Sequence, residues 1–306
     1  METTFDALVI AAYGRHVLVR DKAGTERKAR PFGRHLVLVC GDNVRCEVDS
    51  RHGEVHVVEV LPRQSALYRS NARGGSEPVV ANLSMLLVVI APNPAPDLFV
   101  VDRYLAAAAS GSVPATIVIN KRDLGVTAEL SSELKTFQEV GYDSIQCSAR
   151  ADEGTGELLN LCSGRVATLV GQSGVGKSSL VRRLVPHANA EVGELVRDEE
   201  GRHTTTASKL YDLPRGGHLI DSPGVRDFAP AIEKLDAGNL GFVEVAQLAP
   251  GCRFSDCRHM REPSCAVQAA AASGRMSPRR YESYRRLRRL HEELTEARGP
   301  GRKPKG

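Results

Sequence analysis

The sequence predicts a multidomain chain: an all-β barrel, then a central α/β domain on a parallel sheet, then a mainly helical C-terminal region. Three observations carry this. Short alternating apolar runs divided by glycine-bearing turns crowd the N-terminal part. From residue 85 to about residue 230, continuous β-branched runs alternate with helical spacing, as βαβ units do. Beyond residue 250 a Cys/His cluster precedes an arginine-rich helix. The length of 306 residues suits two or three domains, and 42% hydrophobic content supports real cores. No run approaches the roughly 20 apolar residues of a membrane span.

The N-terminal runs 7–10, 15–20, 35–40, 44–48 and 54–60 are read as strands of a small barrel. Their periodicity fits an OB-fold and an SH3-like barrel equally. Arg20, Lys22, Arg27, Lys28, Arg30 and Arg34 give the early strands a basic bias, by default a solvated face. Residues 61–63 leave the barrel and 71–76 form a loop. Run 85–90 opens the parallel sheet, and 99–109 is its first crossover helix.

Residues 171–178, GQSGVGKS, form a G-x-x-x-x-G-K-S phosphate loop between a strand-like run (165–170) and a helical one (178–184). Gly171, Gly174 and Gly176 permit the turns that aim successive N–H groups at phosphate oxygens, with Gln172, Ser173, Val175 and Ser179 completing the cradle. The helix N-terminus adds partial positive charge. Lys177 is placed to reach the β- and γ-phosphates, and the Ser178 hydroxyl to ligate Mg²⁺.

The base is read elsewhere. Run 115–119 ends in Asn120, Lys121, Arg122 and Asp123. The Asp123 carboxylate accepts from both N1–H and the 2-amino group of guanine, a match adenine lacks. Lys121 can lay its stem along the base, and Asn120 can tie loops together. After run 144–147, the Ser148–Ala149 turn offers a backbone N–H to the guanine O6. Run 217–220 leads into Asp221-Ser222-Pro223-Gly224, a D-x-x-G suited to the Mg²⁺ side and the γ-phosphate. The threonines Thr204, Thr205 and Thr206 between the two suit a switch loop, any one of whose hydroxyls can complete the Mg²⁺ shell, with Thr205 the candidate.

In Ras-like GTPases the phosphate loop comes first and the base reader late. Here the order is rotated, which a compact domain with neighbouring termini tolerates. This permuted order, the DSPGV and GRHTTT segments, the stretch 101–105 and the cysteine cluster resemble the ribosome small subunit-dependent GTPase A family. The resemblance implies an OB-fold barrel at 1–66 that contacts RNA, a permuted GTPase domain at 67–235, and a zinc-binding domain with a basic helix and tail at 236–306. It also implies a cytoplasmic monomer. That monomer hydrolyses GTP, stimulated by the small ribosomal subunit and its rRNA, during late maturation of the subunit.

Val225 directly follows the D-x-x-G, where a Ras-like enzyme has a water-orienting Gln. His203, in the switch segment and able to hydrogen-bond through its imidazole, is the candidate to position the nucleophilic water. Lys177 is the other catalytic candidate, and no arginine finger is evident.

The seven cysteines, an odd number, and the lack of a secretory signal suit a reducing cytosol. Cys40, Cys46, Cys147 and Cys162 are scattered and read as small hydrophobes. Cys252, Cys257, His259 and Cys265 cluster as a Cys₃His set, which suits one structural Zn²⁺. The stretch 279–306 carries ten Lys/Arg against four Glu, a balance of +6 in a chain of +4, a footprint for a polyphosphate partner. Tyr284, Leu287, His291 and Leu294 form its apolar stripe. Two other readings stand at this point: a regulatory GTPase acting on a protein partner without RNA, and a P-loop kinase or ATPase. The base reader disfavours the second.

Overall fold

A computed structural model describes residues 3–13, 16–33, 36–49, 52–71, 75–186, 208–226 and 229–296. Five strands close the barrel: β1 (Thr3–Tyr13), β2 (His16–Asp21), β3 (Glu26–Pro31), β4 (Asn43–Val48) and β5 (Val55–Val60). Their order is β1-β2-β3-β5-β4, closing back onto β1, with β3 and β5 parallel and the other pairs antiparallel. That Greek-key connection is the OB topology, so it decides between the two barrels left open by periodicity. Val9, Val17, Val19, Ala29, Val44, Cys46 and Val57 fill the interior.

One strand expectation fails. Run 35–40 was expected to pair, yet its described part, 36–40, is irregular, and the charged Glu26–Pro31 supplies β3 instead. β3 needs only one inward residue, Ala29, at 1% exposure, so its charges stay in water. Around residues 38–42 the backbone groups find other partners. Val39 N–H donates to the Asp42 carboxylate at 2.9 Å, Gly41 N–H to Val9 O, and Ala81 N–H to Cys40 O. Arg63 holds buried Asp42 through two bonds of 2.6 and 2.9 Å. The loop expected at 71–76 falls between two antiparallel strands, β6 (Ala66–Ser70) and β7 (Ser76–Ala81), with Ser76 already in β7.

The central sheet runs β10-β9-β8-β11-β13-β12. Here β8 is Met85–Ile90, β9 Ala115–Ile119, β10 Asp143–Gln146, β11 Val166–Val170, β12 Ser208–Asp212 and β13 His218–Asp221. All are parallel except β12. β8 is buried at every position, as a two-sided parallel strand must be. Helices α1 (Leu98–Ser110), α2 (Ala128–Glu139), α3 (Thr155–Cys162) and α4 (Lys177–Leu184) connect the strands. β1 outlasts the barrel: after a bulge between Val9 and Ala11, Ala11 and Ala12 pair with Lys209 and Ser208 of β12. Barrel and central sheet are therefore one hydrogen-bonded surface.

The C-terminal part packs α6 (Val243–Leu248), α7 (Ala266–Ala272) and α8 (Pro278–Glu296) around Leu240, Phe242, Val267, Tyr284 and Leu287. A short helix, α5 (Pro223–Arg226), precedes them. The stripe on α8 is only partly as expected. Tyr284 and Leu287 are buried, but Leu294 is 37% exposed, while Arg280, Ser283 and Arg288 join the buried face.

Arg280, 1% exposed, joins α8 to α1 of the central domain and to α6. It bonds Asp102 of α1 at 2.6 Å and holds Glu244 of α6 through both carboxylate oxygens, under the rings of Phe137 and Phe242. Arg279 adds a 2.6 Å bond to Asp102 and one of 2.7 Å to Glu133 of α2. Burial works against the Arg280 charge, but Glu244 and Asp102 outweigh it and leave its pKa above the ordinary value. Removing one member strands buried charge, which costs about 3–5 kcal/mol, whereas an exposed pair is worth about 0–1 kcal/mol. Arg280→Leu is expected to lower the thermal midpoint sharply, by several degrees or more. Arg20→Leu, which breaks the exposed contacts to Glu26 and Asp212, should leave the calorimetric trace nearly unmoved.

Candidate functional site

The motif loops leave the carboxyl ends of the parallel strands, where open α/β sheets place their ligands. β11 runs into the loop 171–176, and α4 begins at Lys177. Gly171 has φ 148 and a Cβ there would lie 2.1 Å from Val89 O, so the loop can press on β8 only with glycine. Gly176 has φ 97, and its Cβ would sit 2.3 Å from Asn120 Nδ2. The Lys177 ammonium, 7% exposed, donates to Gly171 O at 2.6 Å and Gln172 O at 2.7 Å.

The Asn120 stretch meets this loop directly. Asn120 is 1% exposed. Its Nδ2 donates to Val175 O at 2.9 Å and its Oδ1 accepts from Ala149 N–H at 3.1 Å. One side chain thus joins the ends of β9 and β10 to the phosphate-type loop. Lys121, in the left-handed region at φ 60, extends its ammonium to Asn93 O and Gly174 O, both at 2.7 Å. Ser148 Oγ donates to Asp123 Oδ1 at 2.5 Å and accepts from Ala151 N–H at 3.1 Å, fixing the carboxylate. Asp221 ends β13, and Pro223, Gly224 and Val225 form α5. Val225 is fully buried, so no solvent molecule can touch its side chain. Ser208 Oγ on β12 lies 2.6 Å from Ser222 Oγ.

The structure therefore brings together residues 120–123, 148–149 and 171–179, while 221–224 leave β13, the strand beside β11. His203, Thr204, Thr205 and Thr206 lie outside the described residues. Some partners escaped the sequence reading. Asn93 lies in the proline-rich exit from β8 (APNPAPD, 91–97), whose composition marks a turn at a sheet end. Gln172 accepts the Asp97 N–H at 2.8 Å, tying the start of α1 to the loop. Arg69 on β6 packs its guanidinium 3.4 Å from where a Gly224 Cβ would stand, and pairs with Glu77. A lone arginine in a strand-like run carries no signal for that.

Apart from this site, ligand atoms of Cys252, Cys257, His259 and Cys265 all lie within 4.8 Å of one another. His259 Nδ1 faces Cys252 and Cys265 sulfurs at 3.5 Å each. Three thiols and an imidazole so close, with His259 in the left-handed region at φ 62, have the donor set and the convergence of a closed zinc site. Tyr281 and Tyr284 hydroxyls donate to His259 O and Arg258 O, holding the ligand turn on α8. Elemental analysis of the purified chain should give about one zinc per chain. Cys257→Ser should drop that ratio towards zero and loosen α7 and α8 in hydrogen exchange.

Comparison with known proteins follows this geometry. The family model described as RsgA GTPase matches residues 60–230. Over 291 residues the chain is 41% identical to the small ribosomal subunit biogenesis GTPase RsgA of Azotobacter vinelandii, covering 92% of this chain and 84% of that one. The protein of the same name from Haemophilus influenzae is 36% identical over the same shares. The crystal structure of YjeQ from Thermotoga maritima superposes with a TM-score of 0.72 at 25% identity, covering 94% of this chain and 99% of that one. YloQ, titled a circularly permuted GTPase, shares the fold with a TM-score of 0.70 at 20% identity, covering 99% and 98%. With a family match over more than half its length and such relatives along 92% of it, the chain belongs to the RsgA GTPase family and hydrolyses GTP.

Proposed function

We propose that this GTPase binds the small ribosomal subunit and its rRNA in the cytoplasm, as a monomer, and acts in late maturation of that subunit, which stimulates hydrolysis. The relatives' printed names supply the partner. The observation that supports the nucleotide reading is Asn120, whose amide bonds to Val175 and Ala149 join residue 120 to the loop 171–176 and to the 148–149 turn. The assignment divides the chain into an RNA-contacting barrel (1–66), the permuted GTPase domain (67–235) and a zinc-binding domain with its basic helix and tail (236–306).

Asp123, pre-aimed by Ser148, accepts from guanine N1–H and the 2-amino group, and the Ser148–Ala149 turn is assigned to O6, the Ala149 N–H then being shared with Asn120 Oδ1. Lys121 lines the base with its stem. The N–H groups of 171–179 surround the phosphates, and the Lys177 ammonium exchanges its two carbonyls for phosphate oxygens, a charge-assisted gain. Ser178 and Thr205 would hold Mg²⁺ near Asp221, and a bound Mg²⁺ neutralises charge on the β- and γ-phosphates. Gly224 offers its N–H to the γ-phosphate. Since Val225 is buried, His203 is assigned to orient the attacking water.

Asp123→Asn converts one carboxylate oxygen into an N–H donor. GTP affinity should fall roughly a hundredfold or more while xanthosine triphosphate, with a 2-oxo group, gains. Competition titration with both nucleotides measures this, and an unaltered GTP preference rejects the base reader. His203→Ala should bind GTP normally and lose most of the turnover measured with purified small subunits. Cosedimentation with those subunits, in a non-hydrolysable GTP analogue and in GDP, tests the partner. Equal, negligible pelleting in both nucleotides would sink the ribosomal reading.

A further inference from the structure

The D-x-x-G turn is held from outside by two elements that carry no nucleotide motif. On one side β12 reaches it. Ser208 Oγ lies 2.6 Å from Ser222 Oγ, and Ser222 is 2% exposed. On the other side stands the pair β6 and β7. Arg69 of β6 forms an antiparallel bridge with Pro230, and the Ala231 N–H donates to Tyr68 O at 2.8 Å. The Lys234 ammonium lies 5.3 Å from the centre of the Tyr68 ring, and Ser70 Oγ donates to Glu233 at 3.3 Å. The chain is thus tied to β12 just before α5 and to β6 just beyond it. Between the two ties, Val225 is fully buried in the core. Gly224 has no side chain with which to anchor itself.

One side chain of β6 faces that glycine. Arg69 Nε donates to Glu77 Oε1 at 2.7 Å, and Nη2 lies 2.6 Å from the same oxygen. This grip leaves Nη1, which has no hydrogen-bond partner among the described residues. A planar guanidinium held at two of its three nitrogens keeps the third in a fixed direction. That direction is Gly224, where a Cβ would stand 3.4 Å from Nη1, in ordinary van der Waals contact. Stability does not explain the grip. The Arg69 and Glu77 side chains are 46% and 37% exposed, and an exposed ion pair contributes little to folding. Placement is what the grip provides: the guanidinium is a wall beside a residue that cannot pack itself.

We propose that Arg69, aimed by Glu77, is a positioning residue for GTP hydrolysis, holding Gly224 so that its N–H keeps facing the γ-phosphate. Arg69 acts through Gly224 rather than on the phosphate itself. The proposal deepens the nucleotide reading above and rests on its assignment of Gly224 to the γ-phosphate. GDP has no oxygen for that N–H to meet. Arg69 therefore governs the preference for triphosphate over diphosphate and leaves the affinity for GDP alone.

The test compares the full chain with Arg69→Ala, Arg69→Lys and Glu77→Gln. Arg45→Ala, which breaks an exposed pair with Glu59 on the barrel, is the control. Calorimetric midpoints should agree within about two degrees. In Arg69→Ala the GDP affinity should stay within about twofold of the starting value. Affinity for β,γ-imido GTP and basal kcat should each fall about tenfold, the worth of one hydrogen bond to a charged group. A lysine cannot grip Glu77 at two points, so Arg69→Lys should fall with Arg69→Ala. Glu77→Gln should move the same way by a smaller factor, and it decides the matter even if Arg69→Ala does not fold. The Gly224 amide gives a second readout. In ¹⁵N-glycine-labelled protein its resonance should shift when β,γ-imido GTP replaces GDP, and Arg69→Ala should shrink that shift. Arg45→Ala should behave like the unaltered chain throughout. Equal loss of affinity for both nucleotides would mark a structural role only and overturns the proposal. So does an unchanged triphosphate preference in Arg69→Ala and Glu77→Gln, or full activity in Arg69→Lys. The two readings fail separately. A Gly224 resonance indifferent to the γ-phosphate in the unaltered chain removes the assignment of Gly224, and the proposal with it. A resonance that responds equally in the unaltered chain and in Arg69→Ala removes the proposal alone.

Discussion

The nucleotide site depends on one buried carboxamide. Asn120 donates to Val175 and accepts from Ala149, so three chain segments far apart in sequence share its two polar ends. At 1% exposure, neither end has water as an alternative. Losing it would leave the buried Val175 carbonyl unpaired, at about 1–3 kcal/mol, and free the half-buried Ala149 N–H. Gly176 is fixed by the same contact, since a Cβ there would displace the Asn120 nitrogen. The rotated motif order is tolerable because these ties act through space and are indifferent to which segment is synthesised first.

A second constraint joins the GTPase domain to the zinc-type module. Asp102, Glu244 and Arg280 are each 5% exposed or less, and Arg279 and Glu133 extend the group. A well-packed apolar substitute for such a cluster is often as stable, so stability alone does not explain it. What the cluster adds is direction. Paired carboxylates from α1 and α6 accept only one placement of the α8 guanidinium, and with it one placement of the ligand turn held by Tyr281 and Tyr284.

Much of this was legible in the sequence because the signals are local. The phosphate loop sits between a strand and a helix, and the runs 85–90 and 115–119 coincide with β8 and β9. The Cys₃His set converges as its short spacing allows. Most of the misses depend on partners distant in sequence. β3 is the exception: it pairs with β2 across a short local turn, and its charged residues hide the strand, while the apolar run 36–40 buries Val39 and Cys40 without pairing and leaves Val37 56% exposed. Arg280 and Arg288 look like surface charge, and only the carboxylates and carbonyls of other segments make them internal. The basic residues of the barrel are likewise partly spoken for, Arg20 by Glu26 and Asp212 and Arg27 by Asp21. A count of charges thus overstates the field that a partner would meet.

The eleven-residue strand β1 has a mechanical implication. Its far end pairs with β12 at Ser208, whose hydroxyl in turn touches Ser222 within the D-x-x-G. The OB barrel is therefore not a bead swinging on a tether. It is the handle of a stiff lever whose tip rests beside the D-x-x-G turn, and whatever grasps the handle leans on the tip.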